Sequence, residues 1–252
     1  MAKKTNSSTY TGLGPSYDHT FRGKPKAWRL IRKRVLGRIL SQARTVCDLA
    51  CGTGTTALEF SRRGARVFAL DRSTTMCRIA RAKARKTGLP VKVICADMRT
   101  FRLPAQVDLI TCEFNSLNHV PRKSDLSRVA RSAVRALRQG GHFFFDVHNR
   151  AAFEGPRNWM GETKSYLVLR RGGYDRRAEK GWLEFTTFAA QRNGMWKRSR
   201  ERIEQVCWTA LEIRRALQQA GFVNIRAFDE SLFFPREVPP RRHCSTFFVA
   251  QK

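Results

Sequence analysis

The sequence predicts an α/β fold, a mostly parallel sheet covered by helices on both faces with an antiparallel β insertion in its C-terminal half. Three observations carry this. From about residue 45 to 150, short unbroken apolar runs alternate with amphipathic stretches, as in parallel strands buried on both faces. From 163 to 207 the rhythm becomes that of a β-meander, its strands separated by Gly172-Gly173 and by Asn193-Gly194, a hairpin signal. The 252 residues, 42% hydrophobic and 27% charged, suffice for a substantial core and exclude wholesale disorder.

Each element follows from local pattern. Residues 1–14, polar and glycine-rich, read as a tail. Trp28, Ile31, Val35 and Ile39 repeat at helical spacing, so 25–40 is a helix with Arg29, Arg32, Lys33 and Arg38 on its other face. Val46–Ala50 is a buried strand, followed by a glycine-rich turn and a helix over 55–63. Val67–Leu70 is the second strand. Ser73 caps a helix through about Lys86 that Gly88 ends. Val91–Ala96 and Val107–Cys112 are the third and fourth strands. Residues 124–139 place Leu126, Val129, Ala130, Ala133 and Leu137 on one helical face, with Gly140-Gly141 as the stop and His142–Val147 as the fifth strand. Thr209-x-x-Glu212 is a capping box opening a helix that Gly221 closes. Two last strands, near 222–228 and 244–250, flank a loop with Pro235, Pro239 and Pro240. The chain thus divides into a tail and helical cap (1–44), a ligand-binding core (45–150), a β insertion (151–208) and a C-terminal helix with two strands completing the core sheet (209–252).

The net charge is +29, and 36 of the 49 basic residues are arginine. They occur in every stretch of fifty residues, which reads as a solvated surface rather than a nucleic-acid stripe. Seven cysteines without a CxxC read as reduced, packed thiols, and no ligand spacing points to a metal. No apolar run approaches the ~20 residues of a membrane span. MAKKTNSSTY lacks the apolar segment of a secretory signal, so a cytoplasmic location is expected.

The chemistry begins where the first strand ends, at Asp48-Leu49-Ala50-Cys51-Gly52-Thr53-Gly54. Two glycines directly after a buried strand let backbone approach a ligand closely. Asp71, at the end of the second strand, can accept from two ribose hydroxyls. Together they describe a nucleoside crevice at the carboxyl ends of parallel strands. The dinucleotide fingerprint lacks its third glycine, since Thr55, Thr56 and Ala57 follow Gly54, and no P-loop is present. Asp48 would repel a pyrophosphate but suits an ammonium-bearing ligand, which favours S-adenosylmethionine over NAD.

Val46 to Gly54 resembles motif I of the class I S-adenosylmethionine-dependent methyltransferases. Leu70-Asp71-Arg72 to Met76 resembles motif II, Cys95 to Arg99 motif III, Asp108 to His119 motif IV, and Leu137 to Asp146 the approach to strand five. Within that superfamily the pattern is similar to small-molecule N-methyltransferases, the aminosugar N,N-dimethyltransferases and glycine N-methyltransferase-like enzymes. The pointers are Tyr17-Asp18 before a helix, the A-D-M-R string, His119 and the β insertion. The resemblance implies a Rossmann-like three-layer sandwich of seven strands in the order 3-2-1-4-5-7-6, with the insertion as a substrate lid. It implies that Asp48, Ala50, Cys51, Gly52 and Gly54 hold the methionine end of S-adenosylmethionine. Asp71 would take the ribose, Arg72 and Met76 would flank adenine, and Asp97 would accept from the adenine amine beside Ala96 and Met98. Glu113 and Phe114 would border the sulfonium and acceptor, and Tyr17 and Trp28 would close over the site.

Methyl transfer asks the protein to align an acceptor, exclude water and accept one proton. His119, Tyr17 or Glu113 could take that proton, and Asn115, Asn118, His119 and His148 are expected around the acceptor. The reading is a methyltransferase acting on a small-molecule amine or hydroxyl. Arginines in the insertion would suit an anionic acceptor. A nucleic-acid methyltransferase is the alternative, against which Glu113-Phe114-Asn115-Ser116 stands in place of D/N-P-P-Y/F. A non-catalytic cofactor-binding protein is a third reading.

Overall fold

A computed structural model describes residues 10–22, 24–155, 157–233 and 244–252. The N-terminal segment enters through a one-turn helix α1 (Tyr17–Thr20), then α2 (Lys24–Leu36) and α3 (Arg38–Gln42). The single helix expected over 25–40 is two, because Gly37 takes a φ of +49° that breaks the helical path. Arg32, assigned by periodicity to the polar face, is instead buried, held by Glu113 and Glu59.

The core alternates as expected: β1 (Thr45–Leu49), α4 (Thr55–Arg62), β2 (Arg66–Asp71), α5 (Thr74–Thr87), β3 (Val91–Cys95), β4 (Val107–Cys112), α6 (Lys123–Ala136) and β5 (Leu137–His148). Ser73 caps α5 by accepting from the Met76 amide, and Gly88 ends it at φ +65°. Helix α6 stops at Ala136 rather than at Gly140. Leu137, fully buried, turns extended to pair with Val107, and the two glycines fall inside a bulged start of β5.

A short α7 (Arg150–Glu154) leads to an antiparallel sheet, β6 (Trp159–Glu162), β7 (Tyr166–Asp175), β8 (Lys180–Ala190) and β9 (Trp196–Val206), in that order. Strand β6 was not expected. Gly172 and Gly173 do not separate strands but lie within β7, opposite Leu183 and Trp182. The turn comes after Asp175, whose carboxylate accepts from the Arg177 and Ala178 amides. Asn193-Gly194 does turn the next hairpin, with Gly194 at φ +80°. Helix α8 (Ala210–Gln219) opens on the expected capping box. The strands β10 (Val223–Asp229) and β11 (Ser245–Gln251) close the chain; Pro235, Pro239 and Pro240, like residues 1–9, lie outside the described residues.

The seven-stranded sheet runs β3-β2-β1-β4-β5-β11-β10. Strand β11 is antiparallel to both its neighbours, and the other core pairs are parallel. Counting core strands alone, this is the order 3-2-1-4-5-7-6. Alternate residues feed opposite faces. Phe143 and Phe145 pack with Leu126 and Ile213 of α6 and α8, whereas Phe144 packs on the side of Trp28 and Ile31 of α2.

Candidate active site

The parallel strands deliver their carboxyl ends to one edge of the sheet. After β1 the backbone turns through Ala50 (φ +57°), Gly52 (φ +53°) and Gly54 (φ +81°). A Cβ on Gly52 would meet nothing within 4 Å, so this glycine serves the turn and leaves space above it. A Cβ on Gly54 would lie 3.0 Å from that of Ala80, so this one lets α5 pack close. The Asp71 carboxylate, at the end of β2, accepts from the Gly52 amide at 2.9 Å and the Ser73 amide at 2.8 Å. Burial raises its pKa against those bonds.

These groups open on a first chamber. Asp71, Arg72, Met76, Ala96, Asp97 and Met98 line it beside Ala50 and Gly52. Asp97 is already engaged: Arg99 forks onto its two oxygens at 2.9 and 2.7 Å. Burial pushes the Asp97 carboxyl up, but this fork outweighs it and leaves the group below its ordinary value. Cys51 faces an adjoining recess with Gly52, Thr53 and Tyr17.

Asp48 and Glu113 stand behind the wall. Asp48 is buried beneath the turn, where Thr111 donates to it at 3.4 Å. Burial, with the Glu113 charge adding, pushes its carboxyl to about 8. Glu113 lines neither this chamber nor its neighbour, because both its oxygens are taken by Arg32 of α2. It anchors α2 to the end of β4 rather than facing a ligand. Phe114 and Asn115 follow at φ +62° and +61°, a left-handed pair that swings Phe114 under the Trp28 ring at 5.5 Å.

A second chamber lies between the core edge and the antiparallel sheet. Trp28, Asn115, His148, Arg157, Arg170 and Gln205 line it. Four residues line both chambers: Tyr10, Tyr17, Phe114 and His119. They form a collar where one space passes into the other. Tyr17 is held there by its neighbours. Asp18 accepts from Thr53 of the turn and Lys83 of α5, and the Gly12 amide donates to Glu201 of β9 at 2.9 Å. Tyr10 meets Tyr17 edge-on at 5.9 Å. Burial raises the Tyr17 phenol, with Asp71 adding, so it stays protonated. His119 moves the other way: burial, then Arg72, lowers it to about 4, so its imidazole is neutral near pH 7.

Asn118 lines neither chamber. Its amide donates to the Val206 carbonyl at 2.8 Å and accepts from the His148 amide at 2.8 Å, tying β9 to β5. Sequence reasoning missed Tyr10, Arg157, Arg170 and Gln205. Arg157, Arg170 and Gln205 lie far along the chain from the motifs, and Tyr10 had only its pairing with Tyr17 to mark it.

A protein-family model described as a methyltransferase domain matches residues 46–141. The ubiquinone biosynthesis O-methyltransferase of Proteus mirabilis is 35% identical over 107 residues, 42% of this chain and 42% of that protein. The chain therefore matches about two fifths of that relative's length. An S-adenosylmethionine-dependent methyltransferase from Clostridium acetobutylicum superposes with a TM-score of 0.78 at 21% identity, over 96% of this chain and 98% of that one. A sugar N-methyltransferase from Streptoalloteichus superposes at 0.73 with 24% identity, over 100% and 98%. The fold is thus shared with these two solved structures over nearly the whole chain, the antiparallel sheet included in the residues covered.

Proposed function

We propose that this chain transfers a methyl group from S-adenosylmethionine to an amine or hydroxyl of a small molecule. The observation that carries the reading is the collar: a chamber whose lining suits a nucleoside meets a chamber under the antiparallel sheet at Tyr10, Tyr17, Phe114 and His119. The residues of the first chamber fit S-adenosylmethionine. Asp71 keeps acceptor capacity for ribose hydroxyls beyond its two amide bonds, and Met76, Ala96 and Met98 offer an apolar slot for a flat base. The Gly52 turn, with Ala50 and Cys51, would hold the methionine end, and Asp48 would act on it only through the turn.

When bound, S-adenosylmethionine supplies an already activated methyl group. The protein aligns the acceptor against it. The tyrosines and Phe114 exclude water at the junction, and neutral His119 accepts the proton released from the acceptor. Tyr17, whose phenol stays protonated, is a wall and a donor rather than the base. Trp28, Asn115 and His148 shape the acceptor side. The sugar N-methyltransferase likeness favours an amine acceptor. A nucleic acid fits less well, because the N-terminal segment and the lid sheet cover the second chamber. Among the described residues no helix is long and apolar enough to cross a membrane; a cytoplasmic setting is proposed on the sequence reading alone.

The test is calorimetric titration of nucleic-acid-free protein with S-adenosylmethionine, repeated with Asp71→Ala. Micromolar binding that weakens at least ~10-fold in the variant is expected, since one charge-assisted contact is worth ~1.5–3 kcal/mol. A labelled methyl group should then pass to amines and hydroxyls offered singly. Folded protein that takes up no S-adenosylmethionine would overturn the reading.

A further inference from the structure

Arg157, between α7 and β6, is 7% exposed. Its Nη2 donates to Gln205 at 2.7 Å, its guanidinium lies 4.9 Å over the Phe153 ring, and its buried Nη1 has no hydrogen-bond partner. Arg170 of β7 donates through Nε to the Arg157 carbonyl at 3.1 Å. Both line the second chamber. Among the described residues, no carboxylate forms an ion pair with either. Glu230, the acid on that wall, accepts through Oε2 from the Cys244 and Ser245 amides.

Two like charges half or more withdrawn from water are costly unless something opposite joins them. Burial lowers Arg157 to about 10, with the Arg170 charge adding, and burial lowers Arg170 too. Yet the lid makes room for this arrangement. A Cβ on Gly172 would lie 2.6 Å from Arg157 Cβ, and one on Gly181 would lie 2.6 Å from its Nη1 and 2.4 Å from the Phe153 ring. Two strand glycines, each a poor strand former, cradle one arginine.

Resting on the acceptor chamber proposed for methyl transfer, we propose that Arg157 and Arg170, with Gln205, form an oxyanion subsite that selects acceptors carrying a phosphoryl or carboxylate group. A guanidinium fork matches either group. The arginines line the second chamber only, whereas His119 lines both, so the anion is held on the lid side while the methylated atom sits at the collar.

The test uses the full chain saturated with S-adenosylhomocysteine. Melting temperature is followed against potassium phosphate, potassium acetate and potassium chloride at matched ionic strength. Wild type should be stabilised by phosphate or acetate beyond chloride, and the anion that acts identifies the group. Arg157→Gln and Arg170→Gln should lose most of that excess, while Arg131→Gln, an exposed arginine elsewhere, should keep it. Both chamber variants should bind S-adenosylmethionine within about twofold of wild type. Equal excess in all four proteins, or none in wild type, overturns the proposal. Loss of S-adenosylmethionine binding by wild type overturns instead the methyltransferase reading. Arg157→Met guards against a structural role: without an added oxyanion it should melt at or above wild type, because it removes an unopposed buried charge, and a lower melting temperature overturns the assignment.

Discussion

His119 is the residue whose chemistry depends most on where the fold puts it. In the sequence it is a histidine on a loop after the fourth strand. In the structure it sits in the collar, desolvated and close enough to Arg72 to feel its charge, with a pKa of about 4. The consequence for activity has a definite sign. The imidazole is in its proton-accepting form down to about pH 4, so under the proposed function the acid limb in kcat from His119 would lie well below 6.5. His119→Asn should lower kcat by up to ~10²-fold, the low end for a positioned base because an imidazole with a pKa of about 4 is a weak proton acceptor, with S-adenosylmethionine affinity kept. A variant with unchanged kcat on a hydroxyl acceptor removes His119 from the proton path. Stability has the same direction. The folded pKa is depressed below the unfolded value of about 6.5, so the stabilising preference is present above that value and is lost as pH falls toward 4. The position of Asp71 on the wall of the first chamber, by contrast, was legible from its place at a strand end. Glu113 was not: its role was settled by Arg32, a residue 81 positions away that periodicity had set on the solvent side.

At the scale of elements, the strands and helices of the core were readable because each carries its own signal: apolar runs for strands β1 to β5, a Ser73 cap, a capping box at Thr209. The misplacements fall where neighbours compete with local pattern. Helix α6 gives up its last turn because Leu137 is worth more in the sheet. Gly172-Gly173 mimics a turn but stays in β7 because Arg157 and Trp182 fill the space its side chains would need. Helix α2 carries the packing of the cap, and Arg32 bound to Glu113 and Glu59 is its anchor. Glu113→Gln should therefore destabilise the protein by about 3 kcal/mol, the low end for breaking a buried pair because Glu59 remains. Chemical denaturation measures this. A change under about 0.5 kcal/mol, the range of an ordinary surface substitution, would show that the pair does not hold the cap.

For the whole molecule, the +29 charge should act as self-repulsion of the compact state. Raising salt from about 20 to 300 mM shortens the screening length from about 20 Å to about 6 Å, so the melting temperature of the protein should rise in potassium chloride. A melting temperature that falls would mean that surface ion pairs outweigh the repulsion. The order of the seven strands, the crevice at their carboxyl ends and the presence of a β insertion were all contained in the chain itself. The crevice and the insertion depend on periodicity and turn residues whose spacing is local, whereas the strand order was available only as what the family resemblance implies. The collar, the burial of Arg32 and Glu113, the use of Asn118 as a tie and the pairing of Arg157 with Arg170 at the second chamber came only from tertiary structure. Each joins residues that are distant in sequence, and burial and charge there are set by what packs against a side chain, which no local pattern records.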